Sequence, residues 1–371
     1  MVEEQTLKKA ITAAIMAFVG TGAAWAQSSV TLWGVVDAAL QRVSGDGNGS
    51  ITRLVQGANR SSQIGFRGVE DLGGGMSASF WLEAGMNNDS GTFQPSNINN
   101  QPTGSALAGI NGGQGLTFNR RSTVSLAGSF GEVRLGRDYI PAFWQSSLYD
   151  VFGHVGSASS FNLIGSLGSA NGMQANVRAS NSIGYFLPPN LGGFYGQVMY
   201  ALGENPSNAA GGTKNNGDHF GGRLGYSFGA GNISYGYGRT RYTTGDYVQQ
   251  GLAGTYDFAV AKLFAGIYRD AIRSALQPRN SAWYVGASIP FGVGEFKLSY
   301  TSANQNAGAG NNDGSQIGIG YVHNLSKRTA LYATYSVVDN KGASVFYSNG
   351  RPTTTPGGNT TGAELGLRHL F

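Results

Sequence analysis

From Ser29 to the last residue, apolar and polar side chains take turns in short segments, and no stretch of useful length carries a helical period. Val30, Leu32, Val36 and Leu40 share one parity, while Thr31, Asp37 and Gln41 hold the other. The same alternation sets Ile64 and Phe66 against Gln63 and Arg67, Phe80 and Leu82 against Trp81 and Glu83, and Phe220 and Leu224 against His219 and Arg223. Later it sets Phe296 and Leu298 against Glu295 and Lys297, Ile317 and Ile319 against Gln316, and Leu365 and Leu367 against Glu364 and Arg368. A period of two belongs to strands with one apolar and one polar face. Those faces could be core and water in a soluble sandwich, or lipid and a wet lumen in a barrel.

Counting separates the two. Strands are expected at about 29–42, 58–71, 75–88, 117–129, 131–138, 179–187, 193–203 and 218–229, and again at about 231–242, 249–259, 261–271, 280–289, 293–302, 314–324, 328–338 and 361–371. Sixteen is an even number, as a bacterial single-chain barrel requires. Short turns, such as Gly73-Gly74-Gly75 and Ser326-Lys327, alternate with mostly longer connections at about 43–57, 86–116, 139–178, 204–217, 243–248, 272–279, 303–313 and 339–360. That is the pattern of antiparallel strands whose two termini lie on one side. A soluble sandwich has no reason to alternate its connections this way. In hydrocarbon every backbone polar group needs an internal partner, so the sheet must close. Sixteen strands leave an aqueous channel rather than a packed interior. The expected fold is therefore all-β, a 16-stranded antiparallel transmembrane β-barrel. Tyr185, Tyr195, Tyr200, Tyr226, Tyr242, Tyr284, Tyr300, Tyr321 and Tyr332 lie near strand ends, where rings would suit the two membrane interfaces, although ordinary β-propensity explains them about equally well.

Composition removes other classes. There is no cysteine, so disulfide scaffolds and thiolate sites are impossible. Charged residues are 12% and hydrophobic residues 40%, which excludes a highly charged disordered chain. Only one short apolar run exists, Ala10 to Gly20, preceded by Lys8 and Lys9 and followed by Ala24-Trp25-Ala26. That pattern reads as a secretory signal peptide over 1–26, leaving a mature barrel over 27–371.

Several segments resemble the Gram-negative trimeric outer-membrane porins, particularly the general diffusion porins of beta-proteobacteria. These are Ser29-Val30-Thr31-Leu32-Trp33-Gly34, Ile64-Gly65-Phe66-Arg67-Gly68-Val69-Glu70-Asp71-Leu72-Gly73, Asn119-Arg120-Arg121-Ser122, Gly131-Glu132-Val133-Arg134-Leu135-Gly136-Arg137-Asp138, Tyr321-Val322-His323-Asn324-Leu325-Ser326 and the ending Gly366-Leu367-Arg368-His369-Leu370-Phe371. The resemblance implies an outer-membrane homotrimer with one water-filled pore per subunit. It implies that the third long loop, 139–178, folds inward and narrows the pore, and that the loop at 86–116 reaches over a neighbouring subunit. It also implies that Phe371 is read by the outer-membrane assembly machinery. Outer-membrane lipid and lipopolysaccharide would surround the barrel.

A diffusion pore does no covalent chemistry, and its selectivity comes from width and from charges at its narrowest level. The family aligns arginines along one wall there, and its motif positions fall on Gln63, Arg120 and Arg178. Gln63 is a departure, since close relatives often carry Arg at that position; its loss should weaken anion preference or widen the opening. Arg67, Arg121, Arg134 and Arg137 could compensate, and Arg67 shares the parity of Gln63. Parity does not settle whether Arg120 or Arg121 faces the channel, and the resemblance favours Arg120. Asp150 is the only acid between Tyr139 and Leu202, and the resemblance places it on the inserted loop. Glu83 matches a lumenal glutamate of the family. Arginines opposed by few carboxylates imply a weakly anion-selective channel for small hydrophilic solutes and ions. The alternatives are a saturable site for small anions, a purely structural pairing of these charges, and a plugged structural barrel.

No enzyme motif occurs: there is no H-E-x-x-H and no His pair with ligand spacing. Asp46-Gly47-Asn48-Gly49-Ser50 does not keep a calcium loop's spacing. No cofactor is expected. The sequence pI of about 9.3 comes without a basic run, so nucleic acid is not an expected partner.

Overall fold

The computed structural model describes residues 29–102, 115–306, 312–349 and 352–371. The expected signal peptide lies outside the described residues. Eighteen strands occur among them: β1 (Ser29–Gly45), β2 (Gly49–Gln56), β3 (Gln63–Gly73), β4 (Met76–Asn87), β5 (Thr92–Phe93), β6 (Arg121–Gly128), β7 (Gly131–Tyr139), β8 (Arg178–Phe186) and β9 (Phe194–Ala201). The second half holds β10 (His219–Phe228), β11 (Gly231–Thr240), β12 (Asp246–Asp257), β13 (Lys262–Arg273), β14 (Arg279–Phe291), β15 (Gly294–Asn306), β16 (Asn312–Asn324), β17 (Thr329–Asn340) and β18 (Thr360–Leu370). All but β2 and β5 form the wall of a closed antiparallel barrel of sixteen strands.

Closure is made by β1. Its first half pairs with β3, from Ser29↔Val69 to Val35↔Gln63, and its length beyond Val35 pairs with β18, from Val35↔Leu370 to Gly45↔Thr360. No edge remains, so the wall's backbone donors and acceptors find partners within the sheet, as hydrocarbon demands. Within the connection 43–57, β2 folds back on β1 from Gly45↔Gly49 to Ala38↔Gln56 and prolongs the wall past the rim.

Burial follows the alternation but inverts the usual rule for soluble proteins. Leu32 is 53% exposed and Leu365 64%, whereas Asp37 is 0% and Glu364 4% exposed. An apolar outer face and a polar inner one is the arrangement of a barrel in lipid.

The connection between β7 and β8 carries helix α1 (Pro141–Leu148) and the short turns α2 (Phe161–Ile164) and α3 (Ser166–Ala170). Pro141 occupies the first turn of α1, where its missing N–H costs nothing. This connection lies against the inner face of the wall. Gln145 Nε2 donates to the Ser234 carbonyl at 3.1 Å on β11, and the Val151 N–H to Tyr284 Oη at 2.8 Å on β14. The Ser157 N–H donates to the Glu364 carboxylate on β18 at 3.0 Å, and Gln316 Nε2 on β16 donates to the Ser157 carbonyl at 2.6 Å. Asn280 Nδ2 on β14 donates to the Leu163 carbonyl at 2.7 Å. Glycine makes the approach possible: a Cβ at Gly318 would lie 2.7 Å from the Ala158 Cβ, and one at Gly236 would lie 2.8 Å from that of Gln145. The largest apolar cluster therefore lies between this connection and the wall, with Tyr149, Val151, Phe152, Leu163 and Ile164 packed on Ala253, Tyr268, Ala282 and Tyr284.

The tyrosine belt needs correcting. Tyr200 and Tyr226 are exposed on the outer face, but Tyr242, Tyr284 and Tyr332 are buried. Their hydroxyls serve the interior: Tyr242 and Tyr284 accept from the Ala175 and Val151 N–H groups, and Tyr332 donates to Asp37. A phenol suits both environments, because its ring is apolar and its tip polar.

Candidate pore constriction

A cavity of about 800 Å³ opens between the inner connection and one side of the wall. β3 lends it Gln63 and Arg67, β4 lends Trp81 and Glu83, and β6 lends Arg121. β7 adds Arg134 and Asp138, and the inner connection adds Asp150 and Phe152. Across the lumen, β10, β15 and β18 contribute Arg223, Lys297 and Arg368. Arg60 and Arg120, both outside strands, complete a lining with eight cationic and three acidic side chains.

The acids are already engaged. Arg120 Nε donates to Glu83 at 2.5 Å, and Trp81 Nε1 donates to the same carboxylate at 3.0 Å. Asp138 accepts from Arg134 at 2.6 Å and lies 3.8 Å from Arg121. Asp150 takes the Ser160 N–H at 2.9 Å, the Ser160 hydroxyl at 2.7 Å and the Phe152 N–H at 2.8 Å, so its charge holds the inner connection in shape. Among the described residues Arg60, Arg67, Arg223 and Arg368 form no ion pair. Positive charge is thus left over in a narrow passage, where water screens it less than on an open surface.

Aromatic rings hold the arginines in place. Tyr139 Oη accepts from Arg120 at 2.6 Å and Arg178 at 2.8 Å, with the Arg178 guanidinium 4.3 Å from its ring centre. Tyr139 stacks in turn on Phe143 of α1. Arg121 and Arg67 lie 4.6 and 5.5 Å from the Trp81 ring, and Trp81 meets Trp33 at 5.2 Å. Each such contact spreads a guanidinium over an electron-rich face and limits its rotamers.

Of the residues singled out in the sequence, Gln63, Arg67, Glu83, Arg120, Arg121 and Asp150 line the cavity together. Arg120 and Arg121 both reach it, the first from the connection and the second from the inward parity of β6. Arg178 stands behind Tyr139 rather than in the lining. Arg137 is also absent from the lining: it donates to the carbonyls of Asn119 at 2.6 Å and Asn97 at 3.2 Å and to the Ser180 hydroxyl at 2.8 Å, tying the connection after β5 to the wall. Arg223, Lys297 and Arg368 were not singled out, although the inward parity of their strands marked them. Arg60 precedes β3 and had no parity to read.

One titratable group in the inner connection is shifted. Burial lowers the His154 pKa to about 4, with Asp150 opposing the shift from 3.7 Å. The imidazole packs on Phe143 and Phe161.

A family model described as Gram-negative porin matches residues 10–343. The chain belongs to the Gram-negative porin family. Porin 32 of the outer membrane of Delftia acidovorans is 35% identical, with 98% of this chain and 99% of that protein covered. A solved structure titled as an anion-selective porin from Comamonas acidovorans is similar at 35% identity and a TM-score of 0.77, covering 93% of this chain and 100% of that one. The trimer form of OmpT from Vibrio cholerae shares the fold at 14% identity and a TM-score of 0.62, covering 93% and 99%. As a porin the chain is a channel of the outer membrane and not an enzyme, and its strands cross that membrane.

Proposed function

We propose that this porin is a passive, anion-preferring diffusion channel for small hydrophilic solutes, with its constriction at the cavity between Arg67, Arg120, Arg121, Arg223 and the inner connection. The observation that carries this reading is the excess of cationic over acidic side chains in the lining, with every acid already engaged. A fixed positive field in a narrow passage raises local anion concentration and excludes cations. The relative from Comamonas acidovorans, titled as anion-selective, supports it. The connection between β7 and β8 narrows the lumen, and the subunit works as a trimer in a lipopolysaccharide-containing membrane. Phe371, exposed at the end of β18, serves as the assembly signal. Reversal potentials across a salt gradient in planar bilayers test the selectivity: the expected sign is that of anion flow, and zero or the opposite sign refutes it.

A second reading adds a saturable anion site to the same passage. Arg223 Nε and Nη1 are buried at the cavity wall without an acceptor, which a carboxylate or phosphate oxygen would supply. Block of the current by a small organic anion, saturating at low concentration, would establish it; a linear dependence would dismiss it.

A further inference from the structure

The outer face of β11 to β14 departs from the apolar pattern where these strands reach the long-loop rim. Arg269 of β13 stands opposite Gln250 on β12 and Ser281 on β14. Arg279 stands opposite Ala271, two residues further along β13, and Arg273 follows after two more. Two residues along a strand span about 7 Å, so the three guanidiniums form a compact triangle. All three side chains are exposed, and among the described residues they make no hydrogen bond and no ion pair. The one nearby acid, Asp246, is occupied by Arg239, which donates to it at 2.7 Å. A cavity of about 520 Å³ lies among these arginines, Tyr237, Gln250 and Gln277. The neighbouring β16 and β17 instead bring Asp313 and Asp339 to the same rim, so the basic patch is confined.

Immediately below, the same face turns apolar. Ile267 is one outward position beneath Arg269, and Leu252 and Trp283 flank it; all three are exposed. In porins the long loops face outward from the cell, so the arginines stand at headgroup level of the outer leaflet, with hydrocarbon-facing side chains beneath them. We propose that this patch is a binding site for the phosphate-bearing headgroup of an outer-leaflet glycolipid. Arg269, Arg273 and Arg279 would hold phosphate oxygens, and the acyl chains would lie along Ile267, Leu252 and Trp283. Guanidiniums match phosphate geometry through paired N–H donors. The apolar strip points to a lipid rather than to free phosphate, which has nothing to place there. The proposal rests on the outer-membrane orientation of the porin and not on its selectivity.

The test uses the refolded full-length porin in detergent. Micelles carrying bisphosphorylated lipid A are titrated against wild type and against the combined variant Arg269→Gln, Arg273→Gln and Arg279→Gln. At about 1 kcal/mol per cation at a lipid surface, the variant should bind on the order of a hundredfold more weakly. A control that removes the same charge at the short-turn rim, Lys262→Gln with Lys327→Gln and Arg328→Gln, should bind as wild type does. Dephosphorylated lipid A should bind wild type and the Arg269/Arg273/Arg279 variant alike, and inorganic phosphate should not compete at millimolar concentration. Equal weakening by the control, no weakening in the variant, or full competition by inorganic phosphate overturns the proposal. Single-channel current of the same variant should match wild type. A normal current with lost lipid binding supports the site, whereas an anion preference missing from both proteins refutes only the pore reading.

Discussion

Two stretches of the barrel's inner wall carry the same alternation and put it to opposite uses. On β12 to β16 the inward positions are small or phenolic: Ala253, Tyr268, Ala282, Tyr284, Ala303 and Gly318. They receive the connection between β7 and β8 and are covered by it. On β3, β4, β6 and β7 the inward positions are long and charged: Arg67, Glu83, Arg121 and Arg134. They stay bare and line the water-filled passage. Side-chain size on one parity therefore decides which part of the cylinder is filled and which stays open. The covered stretch should respond to substitution in stability and shape, and the bare one in ion preference.

The sharpest way to break the contrast is Asp150→Ala. It strips acceptors from the Ser160 N–H, the Ser160 hydroxyl and the Phe152 N–H in a buried place. Each orphaned donor costs about 1–3 kcal/mol, so the inner connection should lose about 3 kcal/mol or more of its seating. Protease cleavage within 140–177 should become fast, with noisier single-channel current; a protected, quiet channel would show that Asp150 is not the anchor. Gly318→Leu attacks the same fit from the wall, where a Cβ already falls within 2.7 Å of Ala158. Overpacking of this kind costs about 1–3 kcal/mol. Thermal unfolding should report it, while the same change at Gly222, with nothing closer than 3.5 Å, should cost less.

Acid should act on the covered stretch alone. The folded His154 pKa is about 4, below its ordinary 6.5, so the folded chain binds fewer protons than the unfolded chain between those values. The seating of the inner connection is therefore unaffected above 6.5, weakens as pH falls through that window, and reaches its full penalty below about 4. Gating noise should rise over that range in wild type and stay flat in His154→Gln. Identical pH profiles would remove His154 from the account.

The smallest energetic effects belong to the bare wall. Arg67→Gln should leave stability within about 0.5 kcal/mol, because the side chain has no ion pair to lose. It should nevertheless move the reversal potential toward zero, and Gln63→Arg should move it the other way. If neither substitution shifts the potential, this wall does not set selectivity.

The barrel itself was largely legible in the sequence, because alternation is a local signal and each strand carries its own copy of it. All sixteen wall strands fall where the pattern placed them, with ends differing by a few residues. What escaped was set by distant contacts. The helices of the inner connection are four to eight residues long and are held by Tyr284, Gln316 and Glu364 from far along the chain. β2 forms on β1 inside a segment rich in Gly, Asn and Ser. In the constriction, parity served until the backbone broke it. Gly136 adopts a φ of +127°, and the pairing of β7 with β8 shifts between Gly136 and Asp138. Counting along β7 past that point cannot say where Arg137 points, and Arg178 sits at the other end of the same irregularity. Arg223, Lys297 and Arg368 lie on unbroken strands, and their inward direction was open to reading.

The bond between the Ser157 N–H and Glu364 joins positions 207 residues apart, and its acceptor belongs to the last strand. During biogenesis that carboxylate is among the final groups to arrive, at the moment when β18 meets β1. The throat of the channel is thus fastened by the same event that seals the cylinder. A chain cut short before its terminal strand would lack the closing seam and the fastening together, so no sealed yet unrestricted hole could be left in the cell envelope.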